Sequence, residues 1–338
     1  MGQAGEESTA GTAGAGGASV GGTGALEAWP GPAEVIALPA TGLVDGNVSG
    51  LTYQPADGAD SAVLWASANI PGNLYRLLPT KDGFASDSAN GWSNGKLLHF
   101  TTGQGAADAE GVTFGESPAN GLYVASEHDN AASSTSRLSI LRYDVTGTAA
   151  SLTAQQEWNV TSVLPKVGAN LGIEAITFIP DADLVAPGFR DDQTQAAYDP
   201  AGYGQHGGGL FIVGVEGTGN LHALALNHED GSFHLVSTVK TPFAGVMSLE
   251  YDRDSHYLWV GCDATCQNQT AVFGIAAQLT LLRRFERPAQ LPNSDNEGIA
   301  IAPESECSGG FKDFFWTDDA NLDGFAIRRG KIPCGPFL

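Results

Sequence analysis

Five stretches of the chain alternate apolar and polar positions with one shared pattern. They open Ser49-Gly50-Leu51-Thr52-Tyr53, Glu110-Gly111-Val112-Thr113-Phe114, Glu174-Ala175-Ile176-Thr177-Phe178, Met247-Ser248-Leu249-Glu250-Tyr251 and Glu297-Gly298-Ile299-Ala300-Ile301. Each has a small residue second and apolar residues third and fifth. A period of two is that of a strand, not of a helix. A second apolar run follows each stretch, over 63–67, 122–126, 210–215, 258–262 and 314–318. A third covers 74–77, 139–143, 221–226, 271–275 and 325–328. A fourth is visible in four repeats, at 96–101, 154–160, 234–239 and 279–285. Turn residues such as Pro71-Gly72-Asn73 and Asp230-Gly231 separate the runs.

Four antiparallel strands recurring in this way predict an all-β fold, a β-propeller of five four-stranded blades. The last repeat runs out of chain after its third strand. The strand-like stretch 34–38 is expected to supply the fourth and close the ring, which removes open sheet edges. Six blades are the alternative, if the long insertion at about 181–209 hides strands. Its Pro187-Gly188, Asp199-Pro200 and Gly207-Gly208-Gly209 read instead as a loop. Residues 1–28 are rich in Gly, Ala, Ser and Thr and read as a flexible tether, with the propeller domain over 29–338.

Aligning the repeats exposes two polar columns. The first-strand column reads Ser49, Glu110, Glu174, Met247 and Glu297. The column at the ends of the second strands reads Asn69, Glu127, Glu216, Asp263 and Asp319. In an antiparallel hairpin, the start of one strand and the end of the next share one end of the sheet. Both columns are therefore expected around one mouth of the central channel. Carboxylates gathered there repel one another. A hard cation such as Ca²⁺, which takes six to eight oxygen ligands, would compensate them. Glu110, Glu174, Glu297, Asn69, Glu216, Asp263 and Asp319 are the candidate ligands. Glu127 and His128 are the candidate catalytic pair, with His128 as base or ligand. A plainer reading makes the Glu110, Glu174 and Glu297 column a set of clasps that accept N–H bonds from the next blade. The densest acidic patches, Asp318-Asp319-Ala320-Asn321 and Glu127-His128-Asp129, can also be Asx-type turns leaving a strand.

Charge narrows the choice. The chain has 16 basic and 38 acidic residues, a formal net charge of −22. That disfavours nucleic acid, whose phosphates need clustered Lys and Arg, and docking on anionic lipid. A small-molecule or glycan ligand fits better, with the protein acting as a monomer. No apolar run is long enough to span a membrane. The four cysteines predict two disulfides, Cys262–Cys266 and Cys307–Cys334, and an oxidising, extracytoplasmic compartment. Four cysteines allow other pairings, and a zinc site competes. The tether then suggests a secreted or envelope-attached protein.

The motifs Ser49-Gly50-Leu51-Thr52-Tyr53, Glu110-Gly111-Val112-Thr113-Phe114 with Leu122-Tyr123-Val124-Ala125-Ser126-Glu127, and Asn296-Glu297-Gly298-Ile299 with Trp316-Thr317-Asp318-Asp319 resemble the "esterase-like activity of phytase" propellers. These are secreted or periplasmic bacterial proteins. The resemblance covers about residues 45–334 and implies a hydrolase of ester or phosphoester bonds. Calcium-dependent propeller lactonases, a more distant comparison, use Glu and Asn/Asp around a channel metal. Calcium-dependent propeller phytases grip phosphate with Lys and Arg. The two columns here contain neither, so the resemblance does not extend to phytate hydrolysis.

Other chemistry is absent or weakly marked. The chain has no Gly-x-Ser-x-Gly elbow, no His-Glu-x-x-His and no P-loop. Ser93-Asn94-Gly95-Lys96 matches Ser-x-x-Lys by chance in a turn-rich segment. Trp65, Trp259 and Trp316 hold apolar strand positions and are expected in the core. Two readings follow: a divalent-cation-dependent ester or phosphoester hydrolase, or a non-catalytic ligand- or glycan-binding propeller with a structural cation. A paired-carboxylate glycosidase is a third.

Overall fold

The computed structural model describes residues 24–336, except 42 and 44–46; most of the tether, residues 1–23, lies outside them. The innermost strands of five sheets are Val48–Gln54, Ala107–Phe114, Ile173–Pro180, Ser248–Asp252 and Ile299–Ile301. Each packs against the next and the fifth against the first, so they form a ring. Behind each, the chain steps outward through antiparallel neighbours. The protein is therefore a five-bladed β-propeller. Blades 2 and 3 have four strands, while blades 1 and 4 add further strands at their outer edges.

Five apolar clusters fill the seams between neighbouring blades. The inner strand of blade 3 shows why these strands are apolar on both faces. Its Ala175 and Ile179 pack towards blade 4, and its Ile176 and Phe178 towards blade 2. A strand buried on both sides needs hydrophobic residues at odd and even positions alike. Trp65, Trp259 and Trp316 are all buried in these seams, as expected. Where inner strands converge, the backbones nearly touch. A side chain on Gly50 would meet the Glu110 carbonyl, and one on Gly111 the backbone of Ile176. The small residue in the repeat is thus set by the ring's narrow centre.

The N-terminal segment lies against blades 4 and 5. Leu26–Glu27 pairs in parallel with Arg284 and Phe285. Trp29 is wedged among Trp259, Phe285, Phe314 and Trp316. Ile36–Leu38 pairs antiparallel with Ile327 to Arg329 of blade 5. The third strand of that blade runs Ile327–Pro333, longer and later than 325–328. Both cysteine pairs are disulfides, with Cα separations of 6.2 Å for Cys262–Cys266 and 6.1 Å for Cys307–Cys334.

The insertion departs from its expected loop form without adding a blade. It holds a short helix, Asp181–Val185, and a two-residue hairpin of Arg190–Asp191 with Ala196–Ala197. Leu184, Phe189 and Tyr198 enter the seam between blades 3 and 4. His206 bonds Asp181 at 2.9 Å and the Tyr203 carbonyl, and Tyr198 donates to Asp181. These contacts make His206 a fastening of the insertion. No helix among the described residues is long and apolar enough to cross a membrane.

Candidate functional site

Bulges present the first column. The ladder between the first two strands slips at Ser49 in blade 1, around Glu110 and Gly111 in blade 2, and at Glu174 in blade 3. A bulged residue leaves the pleat and is re-aimed. A second slip lies between Ser126 and His128. The result is a set of carboxylates at the end of the ring where the inner strands begin. Ser49, Glu174, Met247 and Glu297 line a cavity of about 10 Å³ on the axis. That is close to the space one water molecule, or one ion, requires.

The two columns do meet. Glu174 shares hydrogen bonds with both Glu127 and Glu216. Glu127 also accepts the Gly172 amide of the next blade. The Ser49 hydroxyl donates to Glu297 at 3.2 Å and interacts with Glu110. Asp263 and Asp319 both press electrostatically on Glu297. Asn69 bonds to none of these acids: its backbone carbonyl accepts from Asn130, while its side-chain Oδ1 is buried and receives no hydrogen bond among the described residues. The clasp role belongs to Glu127, because none of Glu110, Glu174 and Glu297 accepts a hydrogen bond from a backbone N–H of the next blade among the described residues. Asp263 does double duty. One oxygen caps a short turn by accepting the Thr265 amide at 3.0 Å, and the turn role expected of the 127–129 patch falls to Asp129, which accepts the Ala131 amide at 3.0 Å.

Crowding shows in the protonation. Burial, then neighbouring carboxylates, hold Glu110 and Glu174 well above the usual range. Burial and Asp319 do the same to Glu297. Burial lifts Glu127 to about 7 against the pull of its hydrogen bonds. Asp319 is raised to about 6, again chiefly by burial. Two carboxyl groups can hydrogen-bond only if one carries a proton. Both Glu174 and Glu127 are raised by burial, and the pair shares one proton.

His128 is buried, and its Nδ1 lies 2.9 Å from Asp108 Oδ2. The pair is close but out of line for a hydrogen bond, leaving Nδ1 without one among the described residues. Desolvation lowers the imidazole's pKa. Asp108, Glu127 and His128 offer ligand atoms within 4.8 Å of one another. Several oxygens at this end are buried and receive no hydrogen bond among the described residues: Glu110 Oε2, Asp318 Oδ1, Asp319 Oδ1 and Asn296 Oδ1. Buried polar atoms are nearly always partnered, so each such atom calls for a ligand or ordered water.

No protein-family model matches the chain, and no curated protein matches it. Among solved structures, the chain is similar to a PQQ-bound aldose sugar dehydrogenase from Streptomyces coelicolor. Identity is 13%, over 89% of this chain and 98% of that one, with a TM-score of 0.46. A protein from Lactobacillus plantarum is 15% identical over 81% and 69% of the two chains, with a TM-score of 0.39. Likenesses this distant carry no argument about function. The propeller assignment rests on the chain's own sheets.

Sequence alignment of the blades missed Asp108 and Asp295. Asp295 presses on Asp319 and Glu297, and Asp108 on Glu110. Each stands two residues ahead of a column acid. The site is also not free of arginine. Arg328 is buried against Asp318, at 2.8 Å, but it is committed to that carboxylate and the Leu322 carbonyl.

Proposed function

We propose that the acidic mouth binds a divalent cation, Ca²⁺ by its chemistry, and that the protein is a hydrolase of ester or phosphoester bonds working there. The supporting observations are two: buried oxygens without partners at this end of the channel, among the described residues, and an ion-sized cavity there that Glu174 and Glu297 line. All the donors are oxygens, the set a hard cation prefers. Glu110, Glu174, Glu297, Glu216, Asp263 and Asp319 would hold it. A bound cation supplies a Lewis acid and lowers the pKa of a coordinated water. The chain's own contribution is Glu127 and His128 beside the mouth. Neutral His128, faced by Asp108, can accept a proton at its unpaired nitrogen. The phytase-like and esterase-like motifs support the same reading. Ca²⁺-loaded protein should turn over a panel of aryl esters and phosphoesters. His128→Asn or Glu127→Gln should lower the rate at least about tenfold. Indifference to both substitutions, in folded protein, would remove the hydrolase.

The second reading, a small-molecule- or glycan-binding propeller with a structural cation, draws on the cavity itself. About 10 Å³ leaves room for an ion but not for an ion and a substrate atom. Glycan-array binding without product would favour it. The two disulfides support a secreted or envelope-attached protein. The N-terminal strand 34–38 is read as the closure of blade 5. Deleting residues up to 38 should then lower the melting temperature by about 5 °C, and an unchanged melt would contradict closure.

A further inference from the structure

The opposite end of the channel holds a second, larger cavity. Its volume is about 200 Å³, and the ends of all five inner strands line it. It is separate from the acidic mouth, where the same strands begin. Across the repeat, the fourth position of the inner strand reads Thr52, Thr113, Thr177, Glu250 and Ala300. Four blades place a small side chain there. Blade 4 alone places a carboxylate.

Glu250 lines the cavity, is nine-tenths buried, and accepts no hydrogen bond among the described residues. The neighbouring charges are otherwise committed. Asp252 holds Lys312 through both oxygens, at 2.9 and 2.8 Å. The Arg253 guanidinium donates to the carbonyls of Gly115 and Glu116. Asp254 accepts the Glu304 amide. The remaining walls are aromatic and hydroxylic, with Tyr53, Phe114 and Phe178 beside Thr52 and Thr113. Glu116 also lines the chamber but is exposed to solvent, so Glu250 is its one buried carboxylate without a partner among the described residues. Such a group in a small, largely apolar chamber selects for charge and for little else. Aromatic faces favour the same sign of ligand. The net charge of −22 draws cations towards the protein.

We infer that this chamber is a binding site for a small organic ammonium ion, with Glu250 as its counter-ion. The ammonium head sits against Glu250, whose proton burial otherwise retains and binding releases, and the alkyl part lies against the aromatic wall. The site is independent of the acidic mouth and of any reaction there.

Calorimetric titration at about pH 8 with n-butylammonium, n-butanol and butyrate tests it. Saturable binding of n-butylammonium is expected, with the alcohol and the anion at least tenfold weaker. Glu250→Gln should weaken the ammonium at least tenfold. Glu250→Thr, which restores the residue of three other blades, should do the same in a protein that melts normally. Glu110→Gln, at the far mouth, should leave ammonium binding unchanged. The inference is overturned if the wild-type protein shows no saturable binding, or if n-butanol binds equally well. It is equally overturned if the loss follows Glu110→Gln and not Glu250.

Discussion

Stripped of divalent ions, the protein loses stability as the pH rises from about 5 to about 8, and calcium restores it. The direction follows from the buried carboxyls. Glu127 moves from an ordinary 4.5 to about 7 in the folded chain, and Asp108 from 3.8 to about 7. Glu110, Glu174, Glu297 and Glu250 are raised as well. A carboxyl raised on folding stabilises fully below its unfolded value, and that stabilisation is lost as pH climbs through the folded value. The window therefore runs from about 4 to about 7, and beyond it for the deepest groups. Buried His222 opposes this. Desolvation holds it down to about 4, so its contribution is present above 6.5 and lost as the pH falls towards 4. The carboxyls outnumber it.

A cation reverses the loss, because it takes the place of protons. At a concentration a thousandfold above its dissociation constant, it adds about 4 kcal/mol, on the order of 10 °C in melting temperature. The gain should be larger at about pH 8 than at about pH 5, and binding should release protons, the one shared by Glu174 and Glu127 among them. Melting curves with chelator and with Ca²⁺, and calorimetry in buffers of different ionisation enthalpy, check both. A calcium response independent of pH would contradict this account.

Replacing Glu110 and Glu174 together by Gln should raise the stability of the metal-free protein and abolish its calcium response. Both side chains are buried and crowded, and each ionised form is penalised by desolvation and by its neighbours. An amide has nearly the same shape, carries no charge, and offers two N–H donors to Glu127 and Glu216, where a carboxyl offers at most one. In the metal-free protein at about pH 8 the double variant should melt higher by about 5 °C or more. Calcium affinity should fall by at least about a hundredfold, since two of the anionic ligands are gone. A clasp role predicts the opposite pattern: lower stability and an unchanged calcium response.

The five blades were legible because each repeats the same alternation, and because seams bury both faces of the inner strands. The two acidic columns were legible for the same reason: Glu110, Glu174 and Glu297 recur at one register. What lay outside the repeat was not. Asp108 and Asp295 belong to no column, although a step of two residues back from Glu110 and Glu297 reaches them. The insertion's Pro and Gly punctuation suggested a loop, while Leu184, Phe189 and Tyr198 anchor it in a seam. Asn69 kept its column position, and its Oδ1 is buried without a partner among the described residues. Glu250 stood in plain view as a lone acid among threonines. Its meaning appears only with the chamber that it lines.

The central claim is that the crowded oxygens at the acidic mouth hold a cation. Crystals grown with calcium, or with manganese as a stronger scatterer, test it by anomalous diffraction. The account predicts one strong peak on the channel axis, with oxygens of Glu110, Glu174 or Glu297 about 2.3–2.6 Å away. A mouth that holds only water at saturating calcium, with the carboxyls still bonded to one another through shared protons, would contradict it.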